Sequence, residues 1–207
     1  MTPTATWGDR EARRRDIMDA GRRLLSQQGY AALQMRDVAA GAGVSAGTVY
    51  TYFAAKEDLY AALFVEAVDE FCDQLEAILA APGTPEQVFV QVATAYRDNY
   101  AVYGRDLNIW SVAFQADEIA EKNKPLLDAS LRATGLAVQI VRATRPAGLP
   151  PEVDDVAVMS VFWAAITGLA DQFTGVRGRL HDRSWQQSAE LAAAILVGGL
   201  RALAEGH

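Results

Sequence analysis

The sequence predicts an all-α protein of about nine helices, on three observations. Apolar residues recur every three or four positions along nearly every segment. Ser, Thr, Pro and Gly punctuate those segments where helices should begin and end. No run alternates as a half-buried strand does, and no internal repeat is present. With 207 residues, 51% of them hydrophobic, the chain can bury a sizeable core, either as one large domain or as a small module joined to a larger one.

Taken in order, Ile17, Ala20, Leu24 and Leu25 share one face of a first helix, which Gly29 should end in a left-handed cap. Arg36 to Ala40 fits a short helix closed by Gly41 and Gly43. Ser45 is a suitable N-cap for a second short helix running to about Phe53. A longer helix starts near Lys56, with Glu57 and Asp58 in its first turn and a stripe of Leu59, Leu63, Val68, Phe71, Leu75 and Ile78. The break "APGTPEQ" places Thr84 as cap and Pro85 at the first position of a helix carrying Phe89, Val92, Ala93, Tyr96 and Tyr100. Gly104 interrupts before a shorter helix with Leu107, Trp110 and Phe114. Pro125 opens another with Leu127, Leu131, Val138 and Val141. After the loop "RPAGLPPEVDD" come two strongly apolar helices, about 154–174 and 184–204.

Net charge is −7, but it is unevenly spread. Up to Lys56 the balance is +3, and beyond it −10. Such asymmetry suits a chain whose head meets an anion while the rest stays clear, although a chance fluctuation in charge is the plainer reading of composition alone. A single cysteine, Cys72, forms no intrachain disulfide and suits a reducing cytoplasm. No secretory signal is expected. The uncharged apolar stretch between Asp155 and Asp171 holds 15 residues, short of the roughly 18 wanted for a membrane span. No membrane partner is therefore expected.

The stretch "GVSAGTVYTYFAAKEDLY" (43–60) is the most informative. On a helical wheel Val49 and Phe53 share one face, with Val44 able to join them. Gly47, Thr48, Thr51 and Tyr52 share the other, with Tyr50 on its flank. Two short helices joined by a glycine turn, each with an inward aliphatic residue, make a helix-turn-helix, whose second helix enters the major groove of DNA. Small Ala46 and Gly47, next to the capping Ser45, let the backbone approach a duplex. The Thr48 and Thr51 hydroxyls can reach phosphate or base edges and their methyls thymine. Tyr50 and Tyr52 can donate to phosphates. Lys56, at the start of the next helix, suits a phosphate, and Arg36 is the candidate for a guanine contact. Arg10, Arg13, Arg14 and Arg15 add phosphate attraction. Glycine-turn helix pairs also occur in ordinary helical proteins, so spacing leaves that reading open.

Residues 13–60 resemble the amino-terminal domain of TetR-type (tetracycline-repressor-like) transcriptional regulators. Ile17, Ala20, "QGY", "MRDVAAGAGVS", "GTVYTYF" and "KEDL" match that pattern in order and spacing. The match covers about a quarter of the chain. The resemblance implies a helix-turn-helix DNA-binding domain over 1–55, with 1–8 as a flexible arm, and an effector-binding and dimerisation domain over 56–207. It assigns Arg36, Thr48, Tyr50, Tyr52 and Lys56 to contacts with double-stranded operator DNA. Three departures stand out: Met35 where the family usually has a capping Thr or Ser, Ala46 for a frequent basic or proline residue, and Ala54–Ala55 for a polar cap before Lys56.

The resemblance also implies a homodimer and a small-molecule pocket in the carboxyl half. Small residues such as Ala164, Gly168, Ala194, Gly198 and Gly199 in the last two helices suit a two-fold helix–helix contact, although packing within one subunit would use them equally well. Phe89, Tyr96, Tyr100, Trp110, Phe114, Met159, Phe162, Trp163 and Ile166 are candidates for a pocket taking a largely apolar or aromatic effector, with Asn108, Gln115 and Thr167 nearby to orient it. An aromatic stripe at helical spacing is also what plain core looks like. Tilting of the long helix from Lys56 would couple effector to operator, and repression is the output the family implies.

An enzyme is not expected. The histidines are His181, in a loop, and His207, the last residue, and Cys72 is isolated. No His/Cys/carboxylate set has metal-ligand spacing, so neither metal nor cofactor is expected. Glu118, Glu121, Asp154 and Asp155 fall at expected solvated helix ends. "GAGVSAG" has its third glycine one residue late for a dinucleotide fingerprint, and follows a helix. The alternative function is a helical protein-interaction scaffold with a degenerate helix-turn-helix.

Overall fold

The computed structural model describes residues 7–81, 83–104, 124–174 and 182–206. Eight helices and no strand occur among these residues: α1 Trp7–Ala32, α2 Met35–Gly41, α3 Ala46–Tyr52, α4 Lys56–Ala80, α5 Pro85–Tyr103, α6 Lys124–Thr144, α7 Asp155–Thr174 and α8 Trp185–Glu205. The expected helix bearing Leu107, Trp110 and Phe114 lies outside the described residues, as do His181, His207, Glu118 and Glu121. Helix α1 begins at Trp7, inside the stretch expected to be an arm. Two compact units, 1–66 and 67–207, divide within α4, whereas the expected division at 55/56 marks where α4 starts.

In the first unit, α2 packs on α1 and α3. Ile17, Met18, Ala20 and Leu25 of α1 are buried with Val38 and Ala39 of α2, Val49 of α3, Phe53, and Leu59 and Leu63 of α4. Gly29 leaves the helical region at φ 74, ψ 172, a glycine-only extended conformation, so it kinks the chain instead of forming the left-handed cap expected. Between α2 and α3, Gly43 has φ 66. The Val44 N–H donates to Ala39 O at 3.0 Å and the Gly43 N–H to Ala40 O at 3.2 Å, the Schellman pattern that closes α2. Arg23 also donates to Gly41 O at 3.2 Å, placing a cation at that helix's negative end.

Caps explain the departures noted in the sequence. The N-cap of α2 is Gln34, which makes no side-chain cap bond, while Met35 is buried one residue inside. Apolar burial thus takes the place of a hydroxyl there. Before α4 the missing cap is replaced from within the helix, since Asp58 Oδ2 accepts from the Ala55 N–H at 3.0 Å. Arg22 donates to both Asp19 and Glu66, tying α1 to α4. Partial burial opposes its charge, but Glu66 and Asp19 outweigh that and raise its pKa.

In the second unit, α5 packs on α7 and α8, α6 packs on α7, and α7 packs on α8. Phe71 and Leu75 of α4, Phe89 and Ala93 of α5, Ile140 of α6 and Ile166 of α7 are core residues. Both α5 and α8 start in full capping boxes, Thr84 with Gln87 and Ser184 with Gln187. Asp154 caps α7 through the Ala157 N–H. Asp155 is not a solvated helix end: only 17% of its side chain is exposed, and Arg142 and Arg145 pair with it at 2.7 and 3.1 Å.

Helices α7 and α8 keep an outward apolar stripe. Val156, Val161, Leu191, Ile195 and Leu203 are all exposed. An added Cβ at Gly168, Gly198 or Gly199 would meet nothing within 4 Å, so packing inside the chain does not require those glycines. By length and hydropathy, allowing up to two charges in 18 residues, each of these helices could cross a membrane. The expectation of no span counted only uncharged residues.

Candidate nucleic-acid interface

The α3 helix is short, and its anchoring is therefore local. Ser45 Oγ accepts from the Thr48 N–H at 3.1 Å, fixing the first turn, and the Ser45 and Thr48 hydroxyls lie 2.9 Å apart. Val49 is fully buried and Phe53 nearly so. That inward pair pins the helix and turns its other face out. Ser45, Ala46, Gly47, Tyr50 and Thr51 are exposed, and Thr48 and Tyr52 are half-buried. Thr51 donates its hydroxyl hydrogen to Gly47 O at 3.0 Å, which leaves its methyl and lone pairs for a ligand. The surface is small, polar and aromatic, with no carboxylate on the helix itself.

Around it lie the cations. The Arg36 side chain on α2 is 76% exposed and its nearest acid, Asp37, is 3.5 Å away. Arg14 of α1 stands over the Phe53 ring at 5.5 Å. Lys56 Nζ sits over the Tyr30 ring, 4.0 Å from its centroid. Tyr30 is a residue the site reasoning missed: "QGY" was read as a helix end. Its hydroxyl donates to Glu57 Oε1 at 3.0 Å, and its ring meets Tyr60 edge-on at 4.7 Å. Such a long-range ring contact leaves no signal in local periodicity.

The second unit holds a cavity of about 40 Å³ between α5, α6 and α7. Five of the pocket candidates, Phe89, Met159, Phe162, Trp163 and Ile166, are among its lining residues. Tyr96 and Tyr100 lie outside that lining. Tyr96 accepts from the Thr167 hydroxyl at 3.5 Å, and Tyr100 donates to Asp171 at 3.3 Å. Burial raises the Tyr96 pKa, against the effect of Thr167. Trp110 and Phe114 lie outside the described residues, as do Asn108 and Gln115. The wall that sequence reasoning missed is α6, through Ala137, Ile140, Val141 and Thr144. Their three-four spacing was visible, but nothing distinguished a cavity wall from ordinary core. No charged side chain lines the cavity among the described residues.

Residues 17–63 match the family described as bacterial regulatory proteins, tetR family. The fatty acid metabolism regulator protein of Bacillus subtilis (strain 168) is 29% identical over 93 residues, 45% of this chain and 46% of that protein. The chain spans about half the length, or less, of the curated relatives it matches. In fold, a Rhodococcus sp. RHA1 protein of unknown function superposes with a TM-score of 0.73 at 23% identity, over 91% of this chain and 95% of that one. FadR of Bacillus subtilis, solved with stearoyl-CoA, superposes with a TM-score of 0.61 at 19% identity, over 89% and 98%. Residues 17–63, folded as a helix-turn-helix, thus carry the amino-terminal domain of the tetR family, and the helical remainder of the chain shares the fold of the solved structures.

Proposed function

We propose that the chain is a ligand-responsive DNA-binding transcriptional regulator, a repressor that grips a palindromic operator as a homodimer. The observation that carries this reading is the α3 surface: a buried Val49 and Phe53 behind an exposed Ala46, Gly47, Tyr50 and Thr51 and a half-buried Thr48. A helix presenting so little side-chain bulk can bring its backbone close to base edges in the major groove. Thr48 and Thr51 then read edges or touch thymine methyls, and Tyr50 and Tyr52 hold phosphates. Lys56 adds a phosphate contact, and Arg36 supplies the bidentate geometry that fits guanine. The chain works where DNA is, in the cytoplasm, and carries out no catalysis.

Two heads need a two-fold interface. The outward apolar stripe of α7 and α8, with its glycines, supports dimerisation through those helices and accounts for their membrane-like hydropathy without a membrane. The cavity supports an effector with a largely apolar body. At about 40 Å³ it has room for only a few waters, so a ligand must part α6 from α5 and α7. Similarity to a fatty acid metabolism regulator fits a ligand with a long hydrocarbon part. Helix α4 carries core residues of both units, Leu59 and Leu63 in one and Phe71 and Leu75 in the other. Its tilt is the proposed coupling, and an effector acts only if it binds the DNA-incompetent form more tightly.

Selection of bound duplexes from random DNA tests the reading. It should return palindromes with half-sites about one helical turn, or a multiple of it, apart, bound less tightly as salt rises. Recovery of no preferred sequence, together with no binding at low salt, would refute it.

A further inference from the structure

Resting on that reading, we infer that Tyr30 is a positioning residue for the DNA contact, its ring serving as a platform that aims the Lys56 ammonium at a backbone phosphate. Three features fix the platform. The kink at Gly29, with φ 74 and ψ 172, turns the chain just before Tyr30. The Tyr30 hydroxyl is held by Glu57 at 3.0 Å, and Tyr60 abuts its ring at 4.7 Å. Lys56 Nζ then rests 4.0 Å from the ring centroid.

Lysine is otherwise a poor fixed contact, because its four torsions must be ordered when the phosphate binds. A π face attracts the ammonium without neutralising it. One side of the ammonium is held against the ring, and N–H donors remain for a phosphate oxygen. The hydroxyl that anchors the ring does so by donating to Glu57, the residue next to Lys56. Tyr30 thus acts on DNA through its neighbours, without touching it.

A double-mutant cycle with the full chain and a duplex recovered by selection tests this. Tyr30→Leu should weaken binding about 2–5-fold per head, the factor carried by an exposed cation–π contact. It should also flatten the salt dependence toward that of Lys56→Ala, which loses about 0.9 from the slope per head. Tyr30→Phe, which keeps the ring, should stay within about twofold of the wild type on the same scale. In a Lys56→Ala background, Tyr30→Leu should change neither affinity nor slope. A merely structural role would weaken binding equally in both backgrounds and leave the salt slope unmoved, and that result overturns the inference. A direct reading needs no variant. In the free wild-type protein the Lys56 ε-methylene protons should lie upfield of those of Lys124, shifted by the ring current of Tyr30. Unshifted protons would equally overturn it. Failure of the wild type to bind any duplex would bring down the functional reading and this inference together. Additive mutants on a salt-dependent duplex would bring down the inference alone.

Discussion

Replacing Ile195 by Asp should separate the dimer while leaving the single chain folded. Ile195 lies on the outward side of α8, between Ala193 and Val197, which are buried and hold the helix to its own core. Complete burial of an isoleucine side chain stabilises by about 1.5–3 kcal/mol. Because Ile195 is 63% exposed in the single chain, a partner can gain about 1–2 kcal/mol by covering it. A two-fold axis doubles that to about 2–4 kcal/mol, so losing it alone raises the dimer Kd about 30–700-fold. A carboxylate forced into the seam costs further. Sedimentation equilibrium over a concentration series, with melting followed in parallel, measures both quantities. An Ile195→Asp chain that dimerises as tightly as the wild type would refute the placement of the interface. So would a wild-type chain that stays monomeric and partitions into lipid vesicles, since α7 and α8 would then owe their hydropathy to a membrane.

Three further outcomes follow from local structure. Ser45→Ala removes the acceptor for the Thr48 N–H and should cost about 1 kcal/mol in urea unfolding of the helix-turn-helix. Glu86 has its pKa lowered from 4.5, first by a backbone hydrogen bond in the first turn of α5 and then by Arg201, whose Nη1 lies 2.6 Å from Oε1. A depressed folded value means that the carboxylate's contribution is present above about pH 4.5 and is lost as pH falls through the folded value. The stability difference between wild type and Arg201→Ala, followed by thermal melting, should therefore shrink on the acid side. Burial raises the Cys72 thiol pKa, and its side chain is fully enclosed. A thiol reagent at neutral pH should label Cys72 in unfolded protein and scarcely at all in folded protein.

Helix punctuation was the most legible part of the sequence, because a cap is a short-range device. Ser45 and Thr84 each sit within three residues of the group they satisfy, so type and spacing suffice to find them. The inward Val49 and Phe53 were readable for the same reason, since one wheel sets both. Where a partner comes from a distant segment the sequence is silent. Tyr30 and Lys56 meet across 26 positions by way of the Gly29 kink, and periodicity cannot register that encounter. Asp155 looked like a solvated end because Arg142 and Arg145 precede it across a loop. Among the pocket candidates, aromatic spacing found α5 and α7 but also gathered Tyr96 and Tyr100, which sit outside the cavity lining. Cavity wall and core have the same composition, so only coordinates separate them.

The claim on which the rest depends is that the bare α3 face leaves room for DNA. Gly47 offers the sharpest probe, because a Cβ added there meets only Ser45 Oγ, at 3.8 Å, and its φ lies outside the left-handed region. Gly47→Leu should fit the free protein and, by helix propensity, stabilise α3 by up to about 0.8 kcal/mol. Operator affinity measured for this variant beside its melting temperature is the most direct test. An unchanged or raised melting temperature with duplex binding abolished is the expected result. Undiminished binding by a chain with a leucine at that position would show that DNA does not approach this face.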